Sequence, residues 1–312
     1  MIKTAMILGA GYGRRLLPLT GLRPKPMFQV LNRTMLEWWA EALVSAGVRR
    51  AVINVHHQAQ QMLDHIQNLA ASFSGRLEIM PSLEEGLLGA GGGIKRAEAL
   101  LGKNDFLVVN ADTFTDFDLV RLALKHLANP GRLATLGLLA GREPAKVSLG
   151  QDGRIISFRA PGPVPGETSR QLYSGVMALS QAVFDLLDEG ESDIIEVFLG
   201  LLPKGQDIFG WTDDPAIWCD MGEVGDYWRL NRDLALGRSF IHSTARIAGD
   251  LSGWNVVGAE AVIEKGATAE NCVIWPGASL ARGASARDAV IAGPVPADLS
   301  VNGGFFCVQP EA

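Results

Sequence analysis

The chain has 312 residues, of which 47% are hydrophobic, and its formal net charge is −6. This length can bury a large core as one large or two smaller domains, and the acidic balance argues against a nucleic acid or an anionic membrane as partner. The chain has three cysteines without metal-ligand spacing, which argues against a disulfide framework or a zinc site. We therefore predict that the protein is located in the reducing cytoplasm. The sequence contains no 18-residue apolar run and no signal-peptide pattern, so we predict no membrane association.

The first predicted element is a strand at residues 2–8, which leads directly into a glycine-rich turn. Gly9, Gly11 and Gly13 allow a sharp turn that brings backbone N–H groups against an anionic ligand. The pattern fits neither the dinucleotide-binding fingerprint, which requires a glycine at the position of Arg14, nor the Walker loop. The glycines alone would also fit a plain surface turn.

Positive charge follows these glycines. Arg14 and Arg15 are suited to bidentate phosphate contacts, and Lys25 adds a point charge. Pro24 and Pro26 stiffen the backbone on both sides of this lysine. Together with the glycines, these residues predict a triphosphate-binding loop.

Strands and helices then alternate up to about residue 125. Helices are expected at residues 34–46, 58–69 and 93–101, and strands at residues 50–55, 77–81 and 105–110. The alternation predicts an α/β fold with a Rossmann-like, mostly parallel sheet and helices on both faces. Ligands of such sheets bind outside the carboxyl ends of the strands, where the first turn and residues 110–112 are both expected.

A second glycine-rich element spans residues 82–94. Gly89 to Gly93 would let a flat base approach main-chain amides, and the start of the following helix would offer further N–H donors. Structural turn glycines are the alternative.

The middle of the chain is more mixed, with strands expected at residues 134–139, 155–158 and 172–178. Residues 160–166 contain three prolines and two glycines and therefore form a loop. This loop is either a mobile flap over a ligand site or a plain surface connection. The five histidines have no metal or nucleophile spacing, and we expect structural roles for them.

Two carboxylates follow apolar strands at distant points of the sequence. Asp112 lies just after the strand at residues 105–110, and Asp220 follows another apolar stretch. Two such carboxylates can hold Mg²⁺ while phosphate oxygens and water complete its coordination. Asp116 and Asp118 are instead expected to cap a helix or to face solvent.

A six-residue period appears after a helix expected at residues 225–236. Aliphatic residues are spaced six apart within residues 241–247, 257–263 and 274–280, which is typical of a short left-handed β-helix of two or three coils. Such a stack must cover its ends by docking on the rest of the chain or on another subunit. A sandwich of short strands is the alternative. We therefore predict two domains, residues 1–237 and residues 238–312.

The first loop resembles the signature of the sugar-phosphate nucleotidyltransferases, or NDP-sugar pyrophosphorylases. The matching residues are Leu8, Ala10, Gly11, Gly13, Arg15, Leu16, Pro18, Leu19, Thr20, Pro24, Lys25 and Pro26. Gly9 and Arg14 replace the usual Ala and Thr. The segments around Asp112, Asp220 and residues 82–94 resemble further motifs of the same family, and the similarity extends over about residues 2–300.

The resemblance implies an enzyme with Mg²⁺ that joins a sugar 1-phosphate to an NTP and releases pyrophosphate. It implies Arg15 and Lys25 as catalytic contacts to the phosphates and Asp112 and Asp220 as catalytic metal ligands. The nucleotide-binding residues that it implies are Leu8, Gly9, Ala10, Gly11, Gly13, Arg14, Glu84, Gly89 and Gly91. The sugar-binding residues are Asn110, Lys146 and Gly175.

Some features depart from the family pattern or leave it open. Phe158-Arg-Ala-Pro161 stands where the family has Phe-x-Glu-Lys-Pro, so the identity of the sugar is open, and Arg159 or Lys146 would substitute for the lost lysine. UTP is favoured over GTP as the nucleotide, and the β-helix predicts a homo-oligomer. The alternatives are a catalytically silent regulatory subunit and a hexapeptide acyltransferase, for which the β-helix offers only His242, at its entry.

Overall fold

The computed structural model describes residues 1–215 and 217–308. Its strands are β1 (Thr4–Leu8), β2 (Gln29–Val30), β3 (Arg33–Thr34), β4 (Arg50–Val55), β5 (Glu78–Leu83), β6 (Phe106–Asn110), β7 (Thr113–Thr115), β8 (Ala134–Leu139), β9 (Val147–Leu149), β10 (Ile155–Phe158), β11 (Ser169–Leu179), β12 (Ile208–Asp213), β13 (Trp218–Asp220), β14 (Phe240–Ile241), β15 (Arg246–Ile247), β16 (Asp250–Val257), β17 (Val262–Ile263), β18 (Thr268–Ile274), β19 (Ser279–Leu280), β20 (Ser285–Arg287), β21 (Val290–Ile291), β22 (Pro294–Val295), β23 (Ser300–Asn302) and β24 (Phe305–Phe306). The α-helices are α1 (Leu19–Leu22), α2 (Met35–Ser45), α3 (Ala59–Ser72), α4 (Gly89–Arg96), α5 (Glu98–Leu101), α6 (Leu119–Leu127), α7 (Ile194–Leu201) and α8 (Val224–Ala235), and 3₁₀ helices span Arg14–Leu16, Lys25–Met27, Gln181–Leu186 and Leu202–Lys204.

The chain divides into two compact units. The first unit contains Met1–Gly11 and Leu36–Trp218, and the second contains Tyr12–Met35 and Cys219–Ala312. The division therefore falls inside the glycine-rich turn, between Gly11 and Tyr12. The boundary after residue 237 stays a prediction, and the last four residues of the predicted second domain, 309–312, lie outside the described part of the chain.

The first unit is built on a mixed sheet whose amino-terminal part is parallel. Strands β6, β1, β4 and β5 lie side by side in that order and are all parallel. Strand β11 pairs antiparallel with β6 and with β8, and β12 extends the sheet by pairing parallel with β8. Helices pack on the sheet, with α3 against β5 and α6 against β8 and β11. The predicted Rossmann-like α/β fold class is confirmed.

Apolar runs explain the central strands, because a parallel strand covered on both faces needs no polar alternation. Ala5, Met6 and Ile7 are at most 1% exposed. A large part of the core lies where α7 and the 3₁₀ helix Gln181–Leu186 meet the sheet, and there Phe184 stacks on Phe106 with 5.2 Å between ring centroids. Helices α6 and α7 and strands β9 and β12 were not predicted, and α4 begins at Gly89, four residues earlier than expected.

Helix α6 carries a buried histidine. The side chain of His126 is 2% exposed, with Nδ1 lying 3.0 Å from Thr135 Oγ1 and Nε2 lying 3.6 Å from Asp105 Oδ2. Burial lowers the pKa of His126, nearby Asp105 opposes this effect, and Arg132 adds to it. The imidazole is therefore held neutral in the folded chain at pH values where it is protonated in the unfolded chain.

We expect this histidine to make the free energy of unfolding depend on pH. Because the unfolded state takes up the proton first, stability falls as pH drops below the ordinary histidine pKa of about 6.5 and levels off below the folded pKa. The slope reaches at most about 1.4 kcal/mol per pH unit for one proton. Urea unfolding of the wild type and of His126→Asn at pH 7.5 and 5.5 measures the difference. His242→Asn, at a position that is only half-buried, serves as control, and an equal pH slope in all three proteins would contradict the expectation.

The carboxyl-terminal part of the second unit is a parallel β-helix. Three stacks of side chains run along it: Ile241, Val257, Ile274, Ile291 and Phe306; Ile247, Ile263, Leu280 and Val295; and Leu251, Ala269, Ala286 and Val301. The residues of the predicted six-residue period occupy the first two stacks, and the parallel coils fit the left-handed β-helix. Stacks of four and five residues mean more coils than the two or three expected.

Within residues 1–215 and 217–308, every helix is too short or too polar to span a membrane.

Candidate active site

The carboxyl edge of the parallel strands brings the first turn of the first unit next to Asp112. Leu8, the last residue of β1, pairs with Asn110 of β6, and the N–H of Ala111 donates to the Leu8 carbonyl at 3.0 Å. Gly9 and the residues after it thus leave the sheet beside Asp112, which is half-buried. This is the edge at which ligands of such sheets bind.

A buried polar network connects this turn to the second glycine-rich segment. Asn54, near the end of β4, accepts a hydrogen bond from the Gly9 N–H at 2.7 Å and donates to Glu84 Oε1 at 2.8 Å. The other carboxylate oxygen of Glu84 accepts from the Leu88 N–H at 3.0 Å. Both side chains are 3% exposed. Glu84, predicted to bind nucleotide, is thus bonded directly to the second glycine-rich segment and, through Asn54, to the first turn.

Asn54 was missed at the level of sequence. Its signal was a single polar residue in the otherwise apolar stretch Ala51-Val-Ile-Asn-Val55. A buried amide in such a stretch needs hydrogen-bond partners, and at the carboxyl end of this strand those partners are Gly9 and Glu84, in the loops that leave the sheet there.

Asn54→Ala is expected to lower the free energy of unfolding by about 2–5 kcal/mol, because it leaves the Gly9 N–H and one oxygen of Glu84 buried without this partner. Denaturant unfolding measures the change. Asn129→Ala, which removes an exposed amide at the end of α6, should stay within about 1 kcal/mol of the wild type. A loss for Asn54→Ala as small as that of the control would contradict a supporting role for the network.

Gly89 to Gly93, the glycines of the second glycine-rich segment, lie at the start of α4. The N–H of Gly91 donates to the Ser192 carbonyl at 2.8 Å, and a Cβ on Gly92 would clash with the carbonyl oxygen of Gly190. These glycines are required because the chain around residues 190–192 packs directly on them. A cavity of about 450 Å³ borders the same helix, with Glu85, Leu88 and Gly92 among its walls.

In the second unit, the chain after the turn forms a compact arm, Tyr12–Met35. Gly13 has φ +61°, and a Cβ there would lie 2.8 Å from Thr20 Cγ2, so this position requires glycine. The hydroxyl of Thr20 donates to the Gly13 carbonyl at 3.1 Å. Arg14 lies over the ring of Tyr12, with 5.1 Å between the guanidinium carbon and the ring centroid.

Three of the predicted catalytic residues meet in the second unit. Lys25 Nζ lies 3.6 Å from Asp220 Oδ1, and Arg15 Nη2 lies 3.9 Å from Asp220 Oδ2. Lys25 is 7% exposed, whereas the side chain of Arg15 is 69% exposed. The Arg15 guanidinium covers Gly222, where an added Cβ would lie 2.8 Å from Arg15 Nη1. One cation is thus held inside the protein, and the other reaches into solvent.

The neighbouring thiol does not add a nucleophile. Burial raises the pKa of Cys219 to about 12, and the charges of Asp226 and Asp220 act in the same direction. The thiol therefore stays protonated near neutral pH and is not activated for covalent catalysis.

The predicted sugar-binding residues divide into two groups. Gly175 follows directly on the pairing of Val176 with Val109, so it lies beside Asn110 on the neighbouring strand. Lys146 is exposed, and its backbone N–H bonds to Gln171, four residues and about 13 Å along β11 from Gly175. The side chain of Arg159 is occupied by ion pairs with Asp193 at 3.0 Å and Glu196 at 2.8 Å.

Two further expectations concern local structure. Asp118 caps α6 by accepting the Arg121 N–H at 2.9 Å, and Asp116 accepts the Ile217 N–H at 3.0 Å, so the expected capping role is confirmed for Asp118.

The guanidinium of Arg170 donates to the carbonyl oxygens of Ala160 and Gly162 and pairs with Glu167 at 2.8 Å. These hydrogen bonds fix the first residues of the proline-rich loop at residues 160–166 to β11.

The described residues contain no group of three or more His, Cys, Asp or Glu side chains arranged to hold a metal. Mg²⁺ at nucleotide sites needs only one or two carboxylates, because substrate phosphates and water complete its coordination. Asp112 follows β6, and Asp220 is the last residue of β13. Each carboxylate has the hard oxygen donors that this ion prefers, so the chemistry of these side chains fits such a metal.

The family model "Nucleotidyl transferase" matches residues 4–236, well over half of the chain, and the chain belongs to this family.

Individual members of the family share about 30% or less of their residues with this chain. The chain is 30% identical over 228 residues to a mannose-1-phosphate guanyltransferase of Debaryomyces hansenii, covering 71% of this chain and 62% of that protein. It is 28% identical over 244 residues to a UTP–glucose-1-phosphate uridylyltransferase of Synechocystis, covering 73% and 62%. The chain therefore spans less than two thirds of the length of these relatives.

Among solved structures, a UDP-glucose pyrophosphorylase from Acinetobacter baumanii superposes with a TM-score of 0.64 at 18% identity, covering 76% of this chain and 94% of that one. A likeness at this identity supports the fold alone.

Proposed function

We propose that the chain is a Mg²⁺-dependent sugar-1-phosphate nucleotidyltransferase that makes an NDP-sugar and pyrophosphate. The observation that carries the proposal is the meeting of Lys25 and Arg15 at Asp220, within 3.6 and 3.9 Å. Two cations at one strand-end carboxylate can receive a triphosphate and a metal together. The names of the relatives support the same reaction, because they describe transfer of GMP or UMP to a hexose 1-phosphate.

In the proposed reaction, an oxygen of the sugar 1-phosphate attacks the α-phosphorus of the NTP. A new oxygen–phosphorus bond forms, the bond to the β-phosphate oxygen breaks, and pyrophosphate leaves with that electron pair. Lys25, fixed inside the protein, neutralises charge at the α-phosphate, and the exposed Arg15 holds the departing β- and γ-phosphates. Because a buried cation is already in place before the reaction, it is suited to the α-phosphate, where one bond forms and another breaks.

Asp112 and Asp220 are the proposed metal ligands. When bound, Mg²⁺ would neutralise phosphate charge and orient the reacting groups. Asp220 also keeps both cations near the phosphates.

We propose two sets of substrate contacts. Leu8, Gly9, Ala10, Gly11, Gly13, Arg14, Gly89 and Gly91 line the nucleotide, with Glu84 supporting the loops. Asn110 and Gly175, neighbours at one sheet edge, face the sugar, and Lys146 contributes from further along β11. UTP is favoured over GTP. Because two relatives are named for mannose 1-phosphate and glucose 1-phosphate, both sugar phosphates belong in the test panel.

The larger organisation is also a proposal. We propose a catalytic domain at residues 1–237, in keeping with the end of the family match at residue 236, and a β-helical domain from residue 238 through which the chain forms a homo-oligomer. The three cysteines are thiols, as they would be in the cytoplasm, where we place the protein.

The test is pyrophosphate release with Mg²⁺ across the four NTPs and a panel of sugar 1-phosphates that includes mannose, glucose, N-acetylglucosamine, N-acetylmuramate and heptose. We expect pyrophosphate release that depends on one NTP and one sugar 1-phosphate. When the NTP carries a radioactive label on its α-phosphate, the label should be recovered in the NDP-sugar. Nucleotide binding without turnover across the panel would favour the silent regulatory subunit. Turnover of an acyl donor would favour the acyltransferase.

A further inference from the structure

A residue of the β-helix contacts the arm on the amino-terminal side of Lys25. Trp275 directly follows β18 and is 5% exposed. The guanidinium carbon of Arg23 lies 5.3 Å from the centroid of its ring, within the range of a cation–π contact. Arg23 is only two residues before Lys25.

The same tryptophan also fixes the arm on the other side of Lys25. Phe28, which is fully buried, meets the Trp275 ring edge to face at 4.9 Å between centroids. Phe28 closes the 3₁₀ helix Lys25–Met27, because its N–H donates to the Lys25 carbonyl at 3.0 Å. The short helix that carries the lysine is therefore held at both ends by one indole.

Tyr227 of α8 completes this cluster. Its hydroxyl donates to the Gln29 carbonyl at 2.7 Å and lies 3.2 Å from Trp275 Nε1, and its ring lies 5.4 Å from that of Phe28. Burial raises the pKa of Tyr227, so the phenol keeps its proton and remains a donor. An aromatic cluster of this kind is rigid, since each ring has few rotamers and is packed on all sides.

We propose that Trp275 is a positioning residue for Lys25, so that the β-helix sets the geometry of the phosphate site in addition to any part in assembly. This inference depends on the proposed function for its kinetic consequences, whereas its structural consequences can be measured without it. A displacement of about 1 Å at a group that contacts the reacting atoms lowers the rate on the order of 100-fold. The loss is therefore expected mainly in kcat.

The experiment compares Trp275→Leu, Trp275→Phe and Trp254→Leu with the wild type in the full chain. Trp254 is also buried in the β-helix but packs on α8 through Trp228, at 5.3 Å between centroids, so it controls for general loosening. For Trp275→Leu we expect kcat to fall about 10- to 100-fold with KM for the NTP changed much less. Trp275→Phe should recover most of the activity, since a phenyl ring can still pack between Arg23 and Phe28.

Hydrogen exchange measured by mass spectrometry gives a second readout, independent of activity. The amides of Met27 and Phe28, bonded to Pro24 and Lys25 at 2.9 and 3.0 Å, should exchange faster in Trp275→Leu and at the wild-type rate in Trp254→Leu. If Trp275→Leu does not fold, Tyr227→Phe, which removes only the hydroxyl, should still accelerate exchange in the arm.

Equal kcat losses in the two leucine variants, or unchanged exchange at Met27 and Phe28, would overturn the inference. A wild type without turnover on the whole panel would instead overturn the proposed function, and the exchange data would then decide about Trp275 separately.

Discussion

Replacement of Lys25 by alanine is expected to lower kcat by at least about 100-fold, the usual cost of removing one preorganised charge contact to a transition state. Lys25 is 7% exposed and lies 3.6 Å from Asp220. A cation in this position cannot be replaced by water or by a neighbouring side chain. The second cation at Asp220, Arg15, is exposed and lies 3.9 Å away, so it does not occupy the space that Lys25 fills.

The measurement is pyrophosphate release at saturating NTP and sugar phosphate, together with the thermal midpoint of each variant. Lys25→Gln, which keeps the length of the side chain but not its charge, should be as inactive as Lys25→Ala. Lys103→Ala, at an exposed site outside the arm, serves as control. Near-normal turnover in a folded Lys25→Ala would remove this lysine from the mechanism.

Asp112→Asn is expected to have an effect of similar size. The substitution keeps the shape of the side chain and removes the negative charge that Mg²⁺ requires, so the rate should fall by about 100-fold or more. The apparent Mg²⁺ concentration for half-maximal rate should also rise. A metal chelator should abolish the wild-type reaction, and added Mg²⁺ should restore it.

Asp116→Asn is the matched control for this change, because Asp116 is four residues further along and exposed, and because its side chain accepts a backbone hydrogen bond that asparagine can also accept. We expect its rate and Mg²⁺ dependence to match those of the wild type. A Mg²⁺ titration of Asp112→Asn that overlaid the wild-type curve would count against Asp112 as a ligand.

Much of this site could be anticipated from the sequence because its residues are adjacent along the chain. The glycines, the arginines and Lys25 lie within 17 residues of one another, and a strand followed by such a loop has few possible structures. The β-helix was visible for the same reason, since its six-residue period is local. Asp112 was predicted as a metal ligand from its place just after an apolar strand, and this role stays a prediction.

Features that depend on packing between distant segments were not predictable. The apolar stretch Ile194–Leu201 carried no structural prediction, yet it is helix α7, which packs against α4 and β10. Gly89, Gly91 and Gly92 of α4 looked like turn residues, and only the chain at residues 190–192 explains them. Asn54 and Glu84 lie 30 residues apart and become partners only when β4 and β5 pair.

The stacks of the β-helix also constrain how the length of this tail can vary. Val257 pairs with Ile274, and Ile274 with Ile291, seventeen residues further along each time. The step from Ile241 to Val257 is sixteen residues and that from Ile291 to Phe306 is fifteen, so a coil can differ by one or two residues while the paired side chains stay in their stack. Larger differences in length between homologous tails should therefore come in steps of about one coil, because loss or duplication of a full coil leaves all three stacks aligned.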